Sequence, residues 1–262
     1  MSEKIYANSS KRLPIVFCLD VSPSMSLKVA DCMYSSIELL NKAIGNFLKE
    51  LKNDTKVRTS AEIALVTFST NIEIDTSFES VGSIEIQDLV TVEEGGTNTA
   101  KAIIRSIEKI EQRKQFLDSK EIGYYVPFFV LVTDGNPDKN DNADLLERAI
   151  TLVQQHCDSH IGASEIIIPF IVGVGDDVEI SILNRLSERF TGTAIILDSS
   201  VGEQDKLFEE VFKFIGNSVT GSIHLNDSPE KIIEPIKTSA AELAKKIKEG
   251  RERRKLSRQG GV

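Results

Sequence analysis

Cysteine is scarce: the chain of 262 residues has 3, too few for a disulfide framework and in keeping with a reduced, intracellular protein. Long apolar runs are missing as well. No window approaches the roughly 18 consecutive apolar residues of a membrane-spanning helix. The opening MSEKIYANSSKR lacks the apolar core of a secretory signal, so the sequence predicts a cytoplasmic protein with no membrane partner. Positive charge is not in excess. The net charge of −9 and a pI near 5.0 argue against general affinity for nucleic acid. Several catalytic signatures are absent too. There is no G-x-S-x-G, so a hydrolase triad would have no nucleophile elbow. The stretch GGTNTAK (Gly95–Lys101) lacks P-loop spacing. Gly173-Val174-Gly175-Asp176 is a lone glycine pair that reads as a turn at a strand end.

What remains is ordinary globular material, 40% hydrophobic and 27% charged, in a chain long enough to bury a core without disulfide or metal staples. The charge is unevenly spread. Lys237–Arg258 holds nine Lys or Arg against three Glu, a net +6 against −9 for the whole chain, so residues 1–236 carry −15. An acidic body with a basic tail predicts a boundary after residue 221: an arm at 1–12, a domain at 13–221 and a basic, partly helical extension at 222–262.

Within the body, apolar runs alternate with helical patterns. Leu13–Asp20, Ala61–Ser69 and Val126–Asp134 read as strands buried on both faces, with further strands at Ile166–Gly173 and Ala194–Leu197. Ile72–Phe78 alternates apolar with polar, as an edge strand does. Helical spacing covers Leu27–Leu51 (through Val29, Met33, Ile37, Leu40, Ile44 and Phe47), Thr99–Leu117, Asp144–His156, Glu179–Glu188 and Glu203–Val219. Alternation of this kind predicts an α/β fold, a parallel sheet covered on both faces. In the tail, Ser228-Pro229 starts one helix and Pro235 a second, whose stripe Ile236, Ala240, Leu243 and Ile247 is thin. The default reading of this tail is a solvated end, frayed from Arg251 onward.

Ligands of open α/β sheets bind beyond the carboxyl ends of the strands. Polar residues gather at those ends here. The first strand runs into Asp20-Val21-Ser22-Pro23-Ser24, where period-two spacing points Asp20, Ser22 and Ser24 in similar directions while the chain stays extended. The third buried strand ends in Thr133-Asp134-Gly135, and Gly95-Gly96-Thr97-Asn98-Thr99 is a glycine turn opening a helix. Two carboxylates and three hydroxyls are hard donors that suit Mg²⁺ or Mn²⁺ rather than zinc or copper.

Asp-x-Ser-x-Ser, the Gly-Gly-Thr turn and the Thr-Asp-Gly strand end together resemble the von Willebrand factor A domain with its metal-ion-dependent adhesion site, over roughly residues 13–220. The resemblance implies a Rossmann-like open doubly wound sheet of six strands in order 3-2-1-4-5-6, with one antiparallel edge strand at Ile72–Phe78 and helices on both faces. It implies that Ser22, Ser24 and Thr97 supply hydroxyl ligands to Mg²⁺ or Mn²⁺, and that Asp20 and Asp134 bind directly or through water. An acidic residue of a protein partner then completes the coordination. Pro23 stands where the family often has glycine and offers no ligand. More narrowly, KRLPIVFCLDVSPSM and FKFIGNSVTGSI resemble cytoplasmic bacterial members associated with tellurite resistance and encoded beside a kinase and a phosphatase, which makes that pair candidate partners in a stress response.

Competing readings stand beside these. Asp20 and Ser22 could simply cap a helix. Thr99 reads as the cap of its own helix, and Asp138 as a turn residue. A Mg²⁺-dependent, haloacid-dehalogenase-like phosphatase with Asp20 as nucleophile would need a general acid two residues on, where the chain has Ser22. His156, Cys157 and His160 have metal-like spacing without a second cluster and read as a helix end. Cys18 reads as core and Cys32 as helix packing. The basic tail offers the one plausible contact with an acidic surface such as nucleic acid.

Overall fold

The computed structural model describes residues 11–28, 33–135, 143–157, 165–176, 178–198 and 204–259. In chain order its strands are β1 (Leu13–Asp20), β2 (Ala61–Phe68), β3 (Ile72–Asp75), β4 (Glu79–Ser80), β5 (Phe128–Thr133), β6 (Ile168–Val174) and β7 (Ile195–Leu197). The continuous apolar runs become β1, β2, β5 and β6, buried at every position. The alternating run becomes β3, exposed along most of its length at the sheet edge. The order is β3-β2-β1-β5-β6-β7, parallel except for β3, as expected, with one addition. That addition is β4, which pairs Glu79 and Ser80 antiparallel with Ile63 and Glu62 of β2.

Successive strand residues face opposite sides, so each strand feeds two cores. Leu13, Ile15, Phe17 and Leu19 of β1 face one of them, and Val16 and Cys18 the other. The second core is closed by α3 (Thr99–Ser119), α4 (Ala143–His156) and α5 (Ile180–Ser187). The first is closed by α1 (Ser36–Asn53), α2 (Thr55–Ser60) and α6 (Gln204–Leu225). At its centre Phe17, Phe47 and Phe212 form a ring cluster with centroids 5.4–6.2 Å apart. Cys18 is core, as expected, and burial pushes its thiol up to about 12. Cys32 lies outside the described residues. Among the described residues no helix is long and apolar enough to cross a membrane.

Several expectations are corrected. The helix foreseen from Leu27 starts nine residues later. Ser35 caps α1 through Glu38 N–H while the Glu38 side chain accepts from Ser35 N–H (2.7 Å), a capping box that fixes the start. Met33, assigned to its apolar face, is 82% exposed, and Val29 lies outside the described residues. Of the arm at 1–12, only Lys11 and Arg12 are described, and Arg12 is buried against Glu62. α6 runs to Leu225, across the boundary expected at 221, with Ile223 still in the core.

The tail departs most. One helix, α7 (Pro229–Gln259), passes through Pro235. An internal proline costs a helix about 3 kcal/mol. Here Ile232 and Ile236, on either side of it, are both buried in the first core and hold the helix continuous. The stripe continues through Ala240, Leu243, Ala244 and Ile247, all in that core, so this part of the tail is packed rather than solvated. The backbone from Arg251 to Gln259, expected to fray, is helical.

Candidate metal centre

Sheet register brings the two carboxylates together. Leu19 pairs with Val132, so Asp20 and Asp134 leave neighbouring strands at nearly the same level. Asp20 is fully buried. Its Oδ1 accepts from the Ser22 backbone N–H (2.8 Å) and its Oδ2 from the Thr133 hydroxyl (2.6 Å). The chain does not stay extended beyond Ser22. Pro23–Ser26 forms a 3₁₀ turn, with Pro23 at a first-turn position where its fixed φ is useful and its missing N–H costs nothing. The turn, rather than period-two alternation, folds Ser24 back. Ser22 Oγ and Ser24 Oγ lie 3.0 Å apart, and Ser24 Oγ donates to Asp134 Oδ1 at 2.8 Å.

Thr97 arrives on a loop tied to the end of β2. Gly96 N–H donates to Thr70 Oγ1 (2.6 Å) and Asn98 N–H to the Ser69 carbonyl (2.7 Å). Gly95 takes φ +150°, and a Cβ there would stand 3.0 Å from Thr70 Oγ1. The loop lays Thr97 on Gly135, the residue after Asp134. A Cβ on Gly135 would come within 2.6 Å of Thr97 Oγ1, an approach only glycine permits. Asp20, Ser22, Ser24, Thr97 and Asp134 thus converge, and all but Ser24 are at least nine-tenths buried. Thr133, Ser69, Thr70 and Gly135 position them and were not assigned roles from the sequence. The cap of α3 is Asn98, whose side chain accepts from Lys101 N–H (3.3 Å), not Thr99. Thr99 Oγ1 is buried without a hydrogen-bond partner among the described residues.

Burial raises the pKa of both carboxyls. Asp134 is pushed up to about 7, by desolvation first and by the charge of Asp20 second. Asp20 is raised by its burial, against the hydrogen bonds from Ser22 and Thr133. No Lys or Arg among the described residues offsets either charge. Paired buried carboxylates with neutral hydroxyls, oxygen throughout, are a donor set that fits a hard divalent cation. Among the described residues, the centre with its two carboxylates included, no three His, Cys, Asp or Glu gather as a metal cluster. His156 ends α4 with Nδ1 2.6 Å from the Glu165 carbonyl, in keeping with a helix end; His160 and Asp138 lie outside the described residues.

These shifts set the pH dependence of the metal-free chain. A carboxyl with a folded pKa above its unfolded value favours the protonated folded state. Its contribution is complete below the ordinary value of 3.8 and is lost as pH rises to about 7. In chelator, unfolding free energy is therefore expected to fall across that window, and Asp134→Asn to flatten the fall. Denaturant titrations at stepped pH check it. A wild-type curve that rises with pH through the window and is unchanged by the substitution would contradict the assignment.

The sequence model of the von Willebrand factor type A domain matches residues 15–210. Among solved structures, the PilB minor pilin from Streptococcus sanguinis aligns with a TM-score of 0.50 at 15% identity, covering 80% of this chain and 62% of the pilin. The pilus adhesin SpaC from Lactobacillus rhamnosus GG aligns with a TM-score of 0.51 at 14% identity, covering 82% of this chain and 31% of the adhesin. These two likenesses are of fold, and the chain spans less than two thirds of either protein. Comparison with curated proteins yields no match.

Proposed function

The chain belongs to the von Willebrand factor type A domain family, whose members are generally protein-interaction and adhesion modules, and on that premise we propose that it binds a protein partner through a divalent cation. Asp20, Ser22, Ser24, Thr97 and Asp134 would hold the ion. The reading is carried by one observation: two buried carboxylates converge with hydroxyls and, among the described residues, no basic side chain balances them. Mg²⁺ or Mn²⁺, when bound, supplies an electrophile that accepts a carboxylate oxygen from a partner's Asp or Glu. The chain's own residues prepare that exchange. Ser22 N–H and the Thr133 hydroxyl hold Asp20 rigid, and Ser24 orients Asp134. The Ser22, Ser24 and Thr97 hydroxyls would add neutral donors that leave the ion's positive charge unquenched.

Hydrolysis with Asp20 as nucleophile is less well supported. That carboxylate is fully buried, both its oxygens already accept hydrogen bonds, and a serine stands where the general acid is needed. We read the chain as a binding module and not an enzyme. The narrower resemblance to tellurite-resistance-associated members makes a kinase and a phosphatase the first partners to try.

Cation binding to the folded state alone should stabilise it by about 2.7 kcal/mol at a hundredfold excess over the dissociation constant. Thermal melts in Mg²⁺, Mn²⁺, Ca²⁺ and chelator test this. The expected result is a higher melting temperature in Mg²⁺ and Mn²⁺, a smaller gain in Ca²⁺, and none in Asp134→Ala. Equal melting of the wild type in Mg²⁺ and chelator would sink the reading.

A further inference from the structure

Two buried threonine hydroxyls, those of Thr67 and Thr99, have no hydrogen-bond partner among the described residues. A buried hydroxyl left unpaired opposes folding, so each calls for a reason. Their places in the fold differ. Thr67 pairs with Leu19 in the register of β2 on β1 and shares its face, turned into the first core. Asp20, one residue after Leu19, faces the other way and continues the row of Val16 and Cys18 on the side covered by α3. Thr99 begins α3 and is 1% exposed.

The height of Thr99 on that side follows from the helix. α3 starts at the carboxyl edge of the sheet, where Asn98 N–H donates to the Ser69 carbonyl. It ends toward the amino edge, where the Gly123 carbonyl just beyond it accepts from Arg12 N–H. It therefore runs antiparallel to β1. Ser106 lies against the Cys18 thiol. Seven residues back, two turns and about 10 Å nearer the carboxyl edge, Thr99 occupies the same helix face. Asp20 stands about 7 Å from Cys18 in the same direction. Thr99 is thus level with Asp20 to within about one strand residue, and two residues from Thr97, which lies on Gly135. The hydrogen bonds to Asp20 come from Ser22, Thr133 and the Asp134 backbone, and Thr99 is not among them.

Resting on the cation reading above, we propose that Thr99 is a positioning residue of the metal centre, its hydroxyl accepting a hydrogen bond from a water of the cation's shell on the Asp20 side. Mg²⁺ keeps several waters, each a donor that needs acceptors, and an unpaired hydroxyl level with a carboxylate is a fitting one. Polar groups that cannot touch directly are commonly bridged in this way. Groups hydrogen-bonded one layer out from a metal orient the layer within, and losing one typically costs ten- to hundredfold in metal affinity.

The test compares the full-length wild type with Thr99→Val, Thr99→Ser and Thr67→Val, by calorimetric titration of Mn²⁺ and by melting in Mn²⁺ and in chelator. Valine keeps the branched shape and deletes only an unpaired hydroxyl, so in chelator Thr99→Val should melt as high as wild type or higher. The same variant should bind Mn²⁺ roughly tenfold more weakly and gain less in melting temperature from the ion. Thr99→Ser keeps the hydroxyl and should bind Mn²⁺ as wild type does. So should Thr67→Val, whose deleted hydroxyl faces the other core. Wild-type Mn²⁺ binding that Thr99→Val leaves unchanged would overturn the inference while the cation reading stands. A Thr99→Val chain that melts lower than wild type in chelator would also overturn it, since the hydroxyl would then serve the fold rather than the ion. An equal loss of affinity in Thr67→Val or in Thr99→Ser would trace the effect to packing and overturn it too. No Mn²⁺ binding by the wild type would overturn both readings.

Discussion

A chain ended before Pro229 is expected to lie at the edge of unfolding in conditions where the intact chain is fully folded. Truncation strips Ile232, Ile236, Ala240, Leu243, Ala244 and Ile247 from the first core, each at most 9% exposed. Burying one large aliphatic side chain contributes about 1.5–3 kcal/mol, and total stabilities are about 5–15 kcal/mol, so the four large residues account for much of the reserve. The uncovered surface includes β7, a three-residue strand at the end of the sheet order, against which α7 packs. Arg251 is also removed from Asp198, a carboxylate only 4% exposed. Denaturant unfolding of the two chains measures the loss, and Ile236→Ala alone should cost about 2–5 kcal/mol. Coincident unfolding curves would return α7 to the solvated-end reading.

Legibility in the sequence followed the range of the interactions. β1, β2 and β5 were legible because a strand buried on both faces leaves an uninterrupted apolar run. The residues of the candidate centre could be singled out because they fall in three short segments, two at the ends of β1 and β5 and one in the glycine turn that opens α3. The limits of α1 and α7 were not, for opposite reasons. Apolar spacing extends back through Met33, but the local Ser35–Glu38 capping box starts the helix. Pro235 is a strong local breaker, yet tertiary burial on both sides of it prevails. Positioning contacts were hidden by distance along the chain. Thr133 reaches Asp20 across 113 residues, and Arg113 reaches Glu62, a charge inside an apolar strand, across 51. Neither pairing follows from spacing; both follow from strand neighbours and from the α3 face.

Asp134→Ala is expected to weaken Mn²⁺ or Mg²⁺ binding by a hundredfold or more, about 2.7 kcal/mol. Among the described residues it deletes one of only two carboxylates at the centre, and the Ser24 hydroxyl loses the carboxylate it donates to. Thr97→Ala should cost about tenfold, since it removes one neutral donor from a loop held at Ser69 and Thr70 by backbone contacts the substitution leaves intact. Gly135→Ala removes no donor at all. Its Cβ would stand within 2.7 Å of both Thr97 Oγ1 and Cγ2, so displacing Thr97 should reproduce the Thr97→Ala loss. Ser26→Ala is the control, because its hydroxyl donates to the Pro23 carbonyl (2.6 Å) and touches none of the five candidate ligands. Calorimetric titration of the metal into each full-length variant, with melts in chelator to confirm folding, orders the four. Affinity indifferent to Asp134→Ala, or lost equally in Ser26→Ala, would place the ion elsewhere. A Gly135→Ala chain that binds like wild type would show instead that Thr97 is free to yield, and that its approach to Gly135 does not position it for the metal.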